Sequence, residues 1–173
     1  MEANILLWIQ DNLRNEFLTP IFIFVTTIGN GGIIWIILTL LMLIPKNTRK
    51  IGIMSVNTLV WWVVIGNLIL KNIVARVRPY DAIDGLTSIV GAQSDYSFPS
   101  GHTGCAFAVA VVMFMGLPKR YGIPAMILAI LIGFSRLYVG VHYPSDVIGG
   151  AIIGTCIAVI TYFVGNRLAK KKK

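Results

Sequence analysis

Long apolar runs broken by short polar islands make up this chain, and the run lengths decide what the elements are. The stretches from about 21 to 44, 51 to 74, 101 to 117, 122 to 139 and 144 to 168 carry few charges, and runs of about 17 to 24 residues match the thickness of a hydrocarbon layer. Each predicts a membrane-spanning helix, because a helix satisfies its own backbone where no water is available. Ahead of them, residues 3–17 place Leu6, Ile9, Leu13 and Phe17 near helical spacing, with Gln10, Asp11, Arg14 and Glu16 elsewhere. That pattern predicts an amphipathic helix lying in the interface, ended by Pro20. The expected fold is therefore all-α, a polytopic membrane bundle of about five transmembrane helices plus an N-terminal interfacial helix. It reads as a single integral-membrane domain, with residues 1–19 as the interfacial helix, 20–168 as the transmembrane core and 169–173 as a basic tail. A polar stretch, roughly 76–100, with Asp81, Asp84, Gly85, Gly91 and Asp95, reads as a loop between the second and third spans.

Composition sharpens this picture. Charged residues make up 13% of the chain and mean hydropathy is +0.78, against about 25% charged in soluble domains; a soluble enzyme on an anchor is excluded. No basic segment precedes the first apolar run, which carries Glu2 and Asp11 ahead of it, so the first span is expected to act as its own insertion signal. The net charge of +8 would suggest nucleic acid if it lay on one face of a domain. Instead it follows the alternation of the spans. Lys46, Arg49, Lys50, Lys119, Arg120, Arg167 and the four terminal lysines fall on one side, and all seven carboxylates fall on the other. The positive-inside rule then puts the amino terminus outside and the carboxyl terminus in the cytoplasm of a plasma (inner) membrane. The expected surroundings are membrane lipids, with no nucleic-acid partner. Cys105 and Cys156 both lie in apolar runs and are expected to be buried free thiols, without metal-ligand spacing.

Three polar clusters interrupt the lipid-like sequence, and the topology brings all of them to the carboxylate side. Lys71 and Arg78 are seven apart, two turns, so a helix continued through them stacks both on one face before Pro79 stops it. An ammonium and a guanidinium so placed can clamp phosphate oxygens; a basic collar at the interface is the bland alternative, and Arg76, off the stripe, reads as collar. Pro99-Ser100-Gly101-His102 opens the third helix, with Ser100 as N-cap, Gly101 allowing close backbone approach and His102 able to donate a proton. An incidental histidine after a capped helix start remains open there. In Ser135-Arg136-(five residues)-His142-(three residues)-Asp146, Asp146 is one turn beyond His142 and can accept its Nδ1 proton, freeing Nε2 as a nucleophile. Arg136 adds a second guanidinium, and a surface His–Asp pair is the alternative. Asn67, one turn before Lys71, can orient it or bond a neighbouring helix. Asp95 and Tyr96 read as a mobile rim over the site. Gly150 and Gly154, and likewise Gly31-Gly32, read as close-packing positions.

The eleven letters of these clusters, in this order, resemble the three-part signature of the type 2 phosphatidic acid phosphatase superfamily, which also includes vanadium haloperoxidases. Every signature position matches, between residues 71 and 146. The resemblance implies a lipid phosphatase in which His142 attacks phosphorus, Asp146 orients it and His102 protonates the leaving oxygen. Lys71, Arg78, Arg136, Ser100 and the Gly101 N–H would hold the transferring phosphoryl oxygens. It implies no metal and no other cofactor, and a lipid phosphate or diphosphate as substrate. Undecaprenyl diphosphate is favoured, with phosphatidylglycerophosphate and phosphatidate next. The better-known bacterial relatives have six spans, whereas here the amino-terminal segment is too short and polar to cross. Competing expectations are a non-catalytic anionic-lipid binding or transport protein, and a haloperoxidase holding vanadate.

Overall fold

A computed structural model describes residues 1–171, with side chains as far as 169. The described residues are helical and form no strand. The order is α1 (Glu2–Leu13), α2 (Leu18–Ile28), α3 (Ile33–Leu43), α4 (Arg49–Trp62), a π-helical stretch Val63–Leu70, α5 (Lys71–Val74), α6 (Pro79–Ala82), α7 (Gly101–Gly116), α8 (Lys119–Tyr138) and α9 (Pro144–Lys171). Three helical stretches, Arg49–Ala82, Lys119–Tyr138 and Pro144–Ala169, are long and apolar enough to cross a membrane, and Leu18–Ile28 with Asn30–Leu43, bent by 46°, makes a fourth when the pair is taken as one span. The protein is thus an all-helical, multi-pass membrane protein. The helix of 16 residues, α7, sits at the centre of the bundle, packed on α4, α8 and α9. Of the expected basic tail at 169–173, Lys172 and Lys173 lie outside the described residues.

Small residues let α7 occupy that position. Its buried face runs through Gly104, Cys105, Ala106, Ala108, Val109 and Ala110, and lipid-facing helices associate through close van der Waals contact rather than through a hydrophobic drive. A Cβ on Gly154 would lie 2.4 Å from the Gly104 carbonyl oxygen, and one on Gly150 2.8 Å from the Ser100 carbonyl oxygen. The Gly150/Gly154 spacing therefore serves close packing, as its pattern predicts. On the opposite side of α7, Gly104 abuts the ring of the buried Trp62, which a Cβ would approach to 2.0 Å.

The first span departs from the expectation of one continuous helix over 21–44. Gly31 and Gly32 have φ of +60° and +71°, a left-handed path that glycine adopts without penalty, and the helix breaks there. The expectation for Pro20 is also corrected. α1 ends earlier, at Leu13, where Arg14 turns extended; the Asn15 side chain then accepts from the Phe17 and Leu18 N–H groups at 3.0 and 2.8 Å, starting α2 with Pro20 inside its first turn. In α1, Leu6 and Ile9 are buried, Ile9 against Tyr138, Val139 and Val141 with Leu13 beside it. Phe17, expected on the same stripe, is 75% exposed, because it lies past the end of the helix. Gln10 and Arg14 reach the loop after α6, with Gln10 donating to the Gly85 carbonyl at 2.9 Å and Arg14 to that of Thr87 at 2.9 Å.

Charge is distributed as the pattern requires. At one end Lys50 donates to Asn166 at 2.5 Å, and Arg49 covers the last carbonyls of the first span, bonding Leu43 and Ile44 at 3.0 and 3.1 Å. The acidic side chains that form ion pairs, Glu2, Asp95 and Asp146, do so at the other end, with Lys71, Arg76 and Arg78. Cys105 is buried as expected, but Cys156 is exposed: an apolar run does not distinguish a core-facing from a lipid-facing position.

Candidate active site

The site is assembled from the ends of helices that lie as much as 143 residues apart in sequence, as in the Glu2–Ser145 contact. Lys71 follows the π-helical stretch Val63–Leu70, a feature frequent at functional sites, and it is buried at 6% exposure. The helix does not continue to Arg78, contrary to the expected two-turn stripe. Ala75 takes φ +45°, the chain runs extended, and Pro79 opens α6 at its first position instead of stopping a helix. Lys71 and Arg78 nevertheless converge, through a residue expected only at the rim. The Asp95 carboxylate accepts from Lys71 Nζ on one oxygen and from Arg78 Nη2, at 2.5 Å, on the other. Arg78 Nε also donates to the Asp95 carbonyl at 2.8 Å. Burial pushes the Asp95 carboxyl up, but the Lys71 and Arg78 contacts outweigh it and hold it below the usual carboxylate range.

Arg76 is likewise more than a collar. Its Nη1 donates to Asp146 Oδ1 at 2.7 Å and to Ser145 Oγ at 2.6 Å, and its Nη2 to Glu2 Oε2 at 2.7 Å; the guanidinium lies 3.7 Å over the Tyr143 ring. The other Glu2 oxygen accepts from the Ser145 N–H at 2.8 Å, one of the free donors at the start of α9. Helix α1 is therefore bonded to the groups that hold Asp146.

His142 and Asp146 meet as the spacing predicts, although His142 lies in the turn before α9 rather than on its path. Gly140, at φ +80°, turns the chain after α8. His142 Nδ1 is 3.5 Å from Asp146 Oδ2 and finds no closer partner. The carboxylate is fully buried and also accepts from Ser97 Oγ and from the Tyr143 N–H at 2.8 Å. Arg78 Nη1 donates to the Val141 carbonyl at 2.8 Å and lies 3.4 Å from His142 Nε2. Burial pushes the His142 imidazole down, to about 3, against the opposing Asp146 contact and reinforced by Arg136 and Arg78. The neutral ring is thus the resting form.

The start of α7 behaves as expected at its cap and differs in what surrounds it. Ser100 Oγ accepts from the Thr103 N–H at 3.5 Å and the Thr103 hydroxyl at 2.9 Å, which caps the helix and leaves the hydroxyl's own proton to donate. Gly101 faces the cavity near Asn67 and Lys71. His102 Nε2 is 2.8 Å from Asn30 Oδ1, and the buried Arg136 donates to Thr26 Oγ1 at 2.5 Å. Both partners come from the bent first span. Neither was legible from the signature, yet the Gly-Asn-Gly-Gly interruption at 29–32 was a polar break in an apolar run.

These groups enclose a cavity of about 280 Å³. Lys71, Arg78, Arg136, His102 and His142 form its polar wall, and Ile36, Leu59, Trp62 and Val63 an apolar one, with Gly29, Gly31 and Gly32 between them. Two lining residues keep a buried polar atom without a partner, namely Asn67 Oδ1 and Arg136 Nε, while His142 Nδ1 has only Asp146 near it. Because buried polar groups are almost always satisfied, this pair of orphans marks the space as one built for a ligand. The lining set suits an anionic head on an apolar tail.

Fold and site together define a membrane-embedded hydrolase of lipid phosphates. The chain belongs to the PAP2 superfamily, whose family model matches residues 51–169. It is 37% identical over 144 residues to an undecaprenyl-diphosphatase of Sulfolobus acidocaldarius, covering 83% of this chain and 69% of that protein. Among solved structures it is similar to a transmembrane PAP2-type phosphatidylglycerolphosphate phosphatase from Bacillus subtilis, with a TM-score of 0.75 at 25% identity over 99% of this chain and 86% of that one. The Aquifex aeolicus LpxE structure gives a TM-score of 0.76 at 25% identity, covering 92% and 93% of the two chains.

Proposed function

We propose that the protein hydrolyses a polyprenyl diphosphate such as undecaprenyl diphosphate on the extracytoplasmic leaflet of the plasma membrane, through a phosphohistidine on His142 and without a metal. The observation that carries this reading is the approach of Arg78 Nη1 to within 3.4 Å of His142 Nε2 on a wall shared with Lys71 and Arg136. An unprotonated imidazole nitrogen there faces the oxygens that those cations would hold. His142 Nε2 attacks the terminal phosphorus while the bond to the bridging oxygen breaks, and Asp146 keeps the proton on Nδ1 as charge develops on the ring. His102 gives its proton to the departing lipid monophosphate. Water then attacks the phosphohistidine, returns a proton to His102 and releases inorganic phosphate. Lys71, Arg78, Arg136 and the Gly101 N–H carry the equatorial charge. Ser100 caps α7 and has its hydroxyl proton to donate to a phosphoryl oxygen. The carboxylates nearest the cavity, Asp95 and Asp146, are each bonded to cations, which suits chemistry driven by protein cations.

The diphosphate is favoured over phosphatidylglycerophosphate and phosphatidate by likeness to the Sulfolobus protein, and the orientation by the basic side opposite the site. Purified protein tested on lipid phosphates and diphosphates with EDTA present should release phosphate over time, fastest from the polyprenyl diphosphate. His142→Ala should abolish release from all of them while melting like the unmodified protein. An active His142→Ala protein refutes the mechanism, and saturable binding without release would leave an anion-binding or transport function.

A further inference from the structure

Two of the three cations that line the cavity, Lys71 and Arg78, are already bound to an anion, and that anion belongs to the chain. Asp95 spans Lys71 and Arg78 with its two carboxylate oxygens, the arrangement that two non-bridging phosphoryl oxygens would take. The cation side chains are 8% and 5% exposed, whereas that of Asp95 is 52% exposed. The anion therefore sits at the open side of a cradle whose positive groups are fixed within the protein. Its loop is pinned on either side of it. The Gln93 N–H donates to the Tyr80 hydroxyl at 2.9 Å, and the Ser97 N–H to the Arg76 carbonyl at 2.8 Å. Asp95 itself is free of any helix.

A donor hydrogen spent on Asp95 is not available to substrate. Lys71 Nζ and Arg78 Nη2 cannot keep the carboxylate while they hold a phosphoryl group in the same place. We propose that Asp95 is a resident surrogate for the phosphoryl group: it fills the Lys71–Arg78 cradle of the empty site, gives way to substrate, and returns as inorganic phosphate leaves, so that it sets the affinity of the site for phosphate. This rests on the lipid-phosphatase reading. Two physical consequences support the arrangement. Buried cations without a counter-ion repel each other and are costly, so a tethered carboxylate keeps them aimed while the site is empty. Tethering also gives that carboxylate an effective concentration of about millimolar or more. Free phosphate below that level is outcompeted, whereas a lipid head group is concentrated at the membrane and carries more charge than a carboxylate.

The test is binding of inorganic phosphate, measured by calorimetry on purified protein in detergent, which requires no turnover. Asp95→Asn, close to isosteric at a half-exposed position, should bind phosphate at least tenfold more tightly than the unmodified protein and be inhibited by it at correspondingly lower concentration. Asp95→Ser, a second neutral replacement that does not rely on the amide, should do the same, and Asp95→Glu should return the affinity to within threefold of the original. Equal or weaker binding by both neutral variants, or no binding by any of the proteins, overturns the assignment. Tighter binding in a protein that never releases phosphate from lipid would instead overturn the phosphatase reading and leave the role of Asp95 standing.

Discussion

Replacing Asp146 by Asn tests the proposed nucleophile through the group that orients it. The carboxylate is fully buried and its Oδ2 is 3.5 Å from His142 Nδ1. As Nε2 bonds to phosphorus the ring becomes cationic, and two unit charges at that separation interact by about 5 kcal/mol at an effective dielectric of about 20. Loss of that attraction predicts a fall in the chemical step of about 10³- to 10⁴-fold. Stability should suffer much less. Arg76 keeps Glu2 and Ser145 as partners, and an Asn oxygen can still accept from Ser97 and the Tyr143 N–H, so a cost of about 1 to 3 kcal/mol is expected. Single-turnover phosphate release from a polyprenyl diphosphate in micelles, run beside a thermal melt, separates the two effects. KM should change little, because Asp146 is not on the cavity wall. A folded Asp146→Asn protein with release within tenfold of the original would refute the orienting role.

Asn30→Ala removes the 2.8 Å partner of His102; losing one hydrogen bond of about 1 to 1.5 kcal/mol should lower kcat about tenfold with KM nearly constant, and an unchanged kcat would show that the contact positions nothing. The His142 ring, pushed down to about 3 by burial, loses its nucleophilic form only on protonation. Its acid limb in kcat/KM should therefore lie well below the ordinary value near 6.5, where an unshifted ring would cost about 30-fold by pH 5. A limb that stays near 6.5 across substrates of different phosphate pKa would contradict this. Gly104→Ala places a Cβ 2.0 Å from the Trp62 ring, with Gly154 packed against the Gly104 carbonyl. Overpacking of about 1 to 3 kcal/mol or more should depress the melting temperature, and Trp62→Leu in the same chain should recover part of it.

The chemistry-bearing residues were legible because they are polar letters in an apolar text, where each needs a reason. Lys71, Arg78, His102, Arg136, His142 and Asp146 do come together, and the one-sided distribution of carboxylates predicts the end at which they meet. What stayed hidden was path and partnership. The chain reaches Arg78 through a left-handed Ala75, and nothing in the local pattern signals that a non-glycine residue will turn there. Asp95 and Arg76 carry unremarkable loop letters, and their roles exist only once the loop folds back over Lys71 and Asp146. Thr26 and Asn30 belong to a span whose one polar break, at 29–32, marks where the chain bends but not what it contacts. The fate of Cys156 was undecidable for a related reason, since core and lipid are equally apolar.

The shortness of α7 has a consequence for the membrane itself. A helix of 16 residues is about 24 Å long at 1.5 Å per residue, less than the roughly 30 Å of a bilayer's oily interior. Its first turn is level with the start of the 28-residue α9, since the Ser100 N–H donates to the Asp146 carbonyl at 3.1 Å. The longer helices around α7, not α7 itself, therefore set the thickness of bilayer that the protein fits.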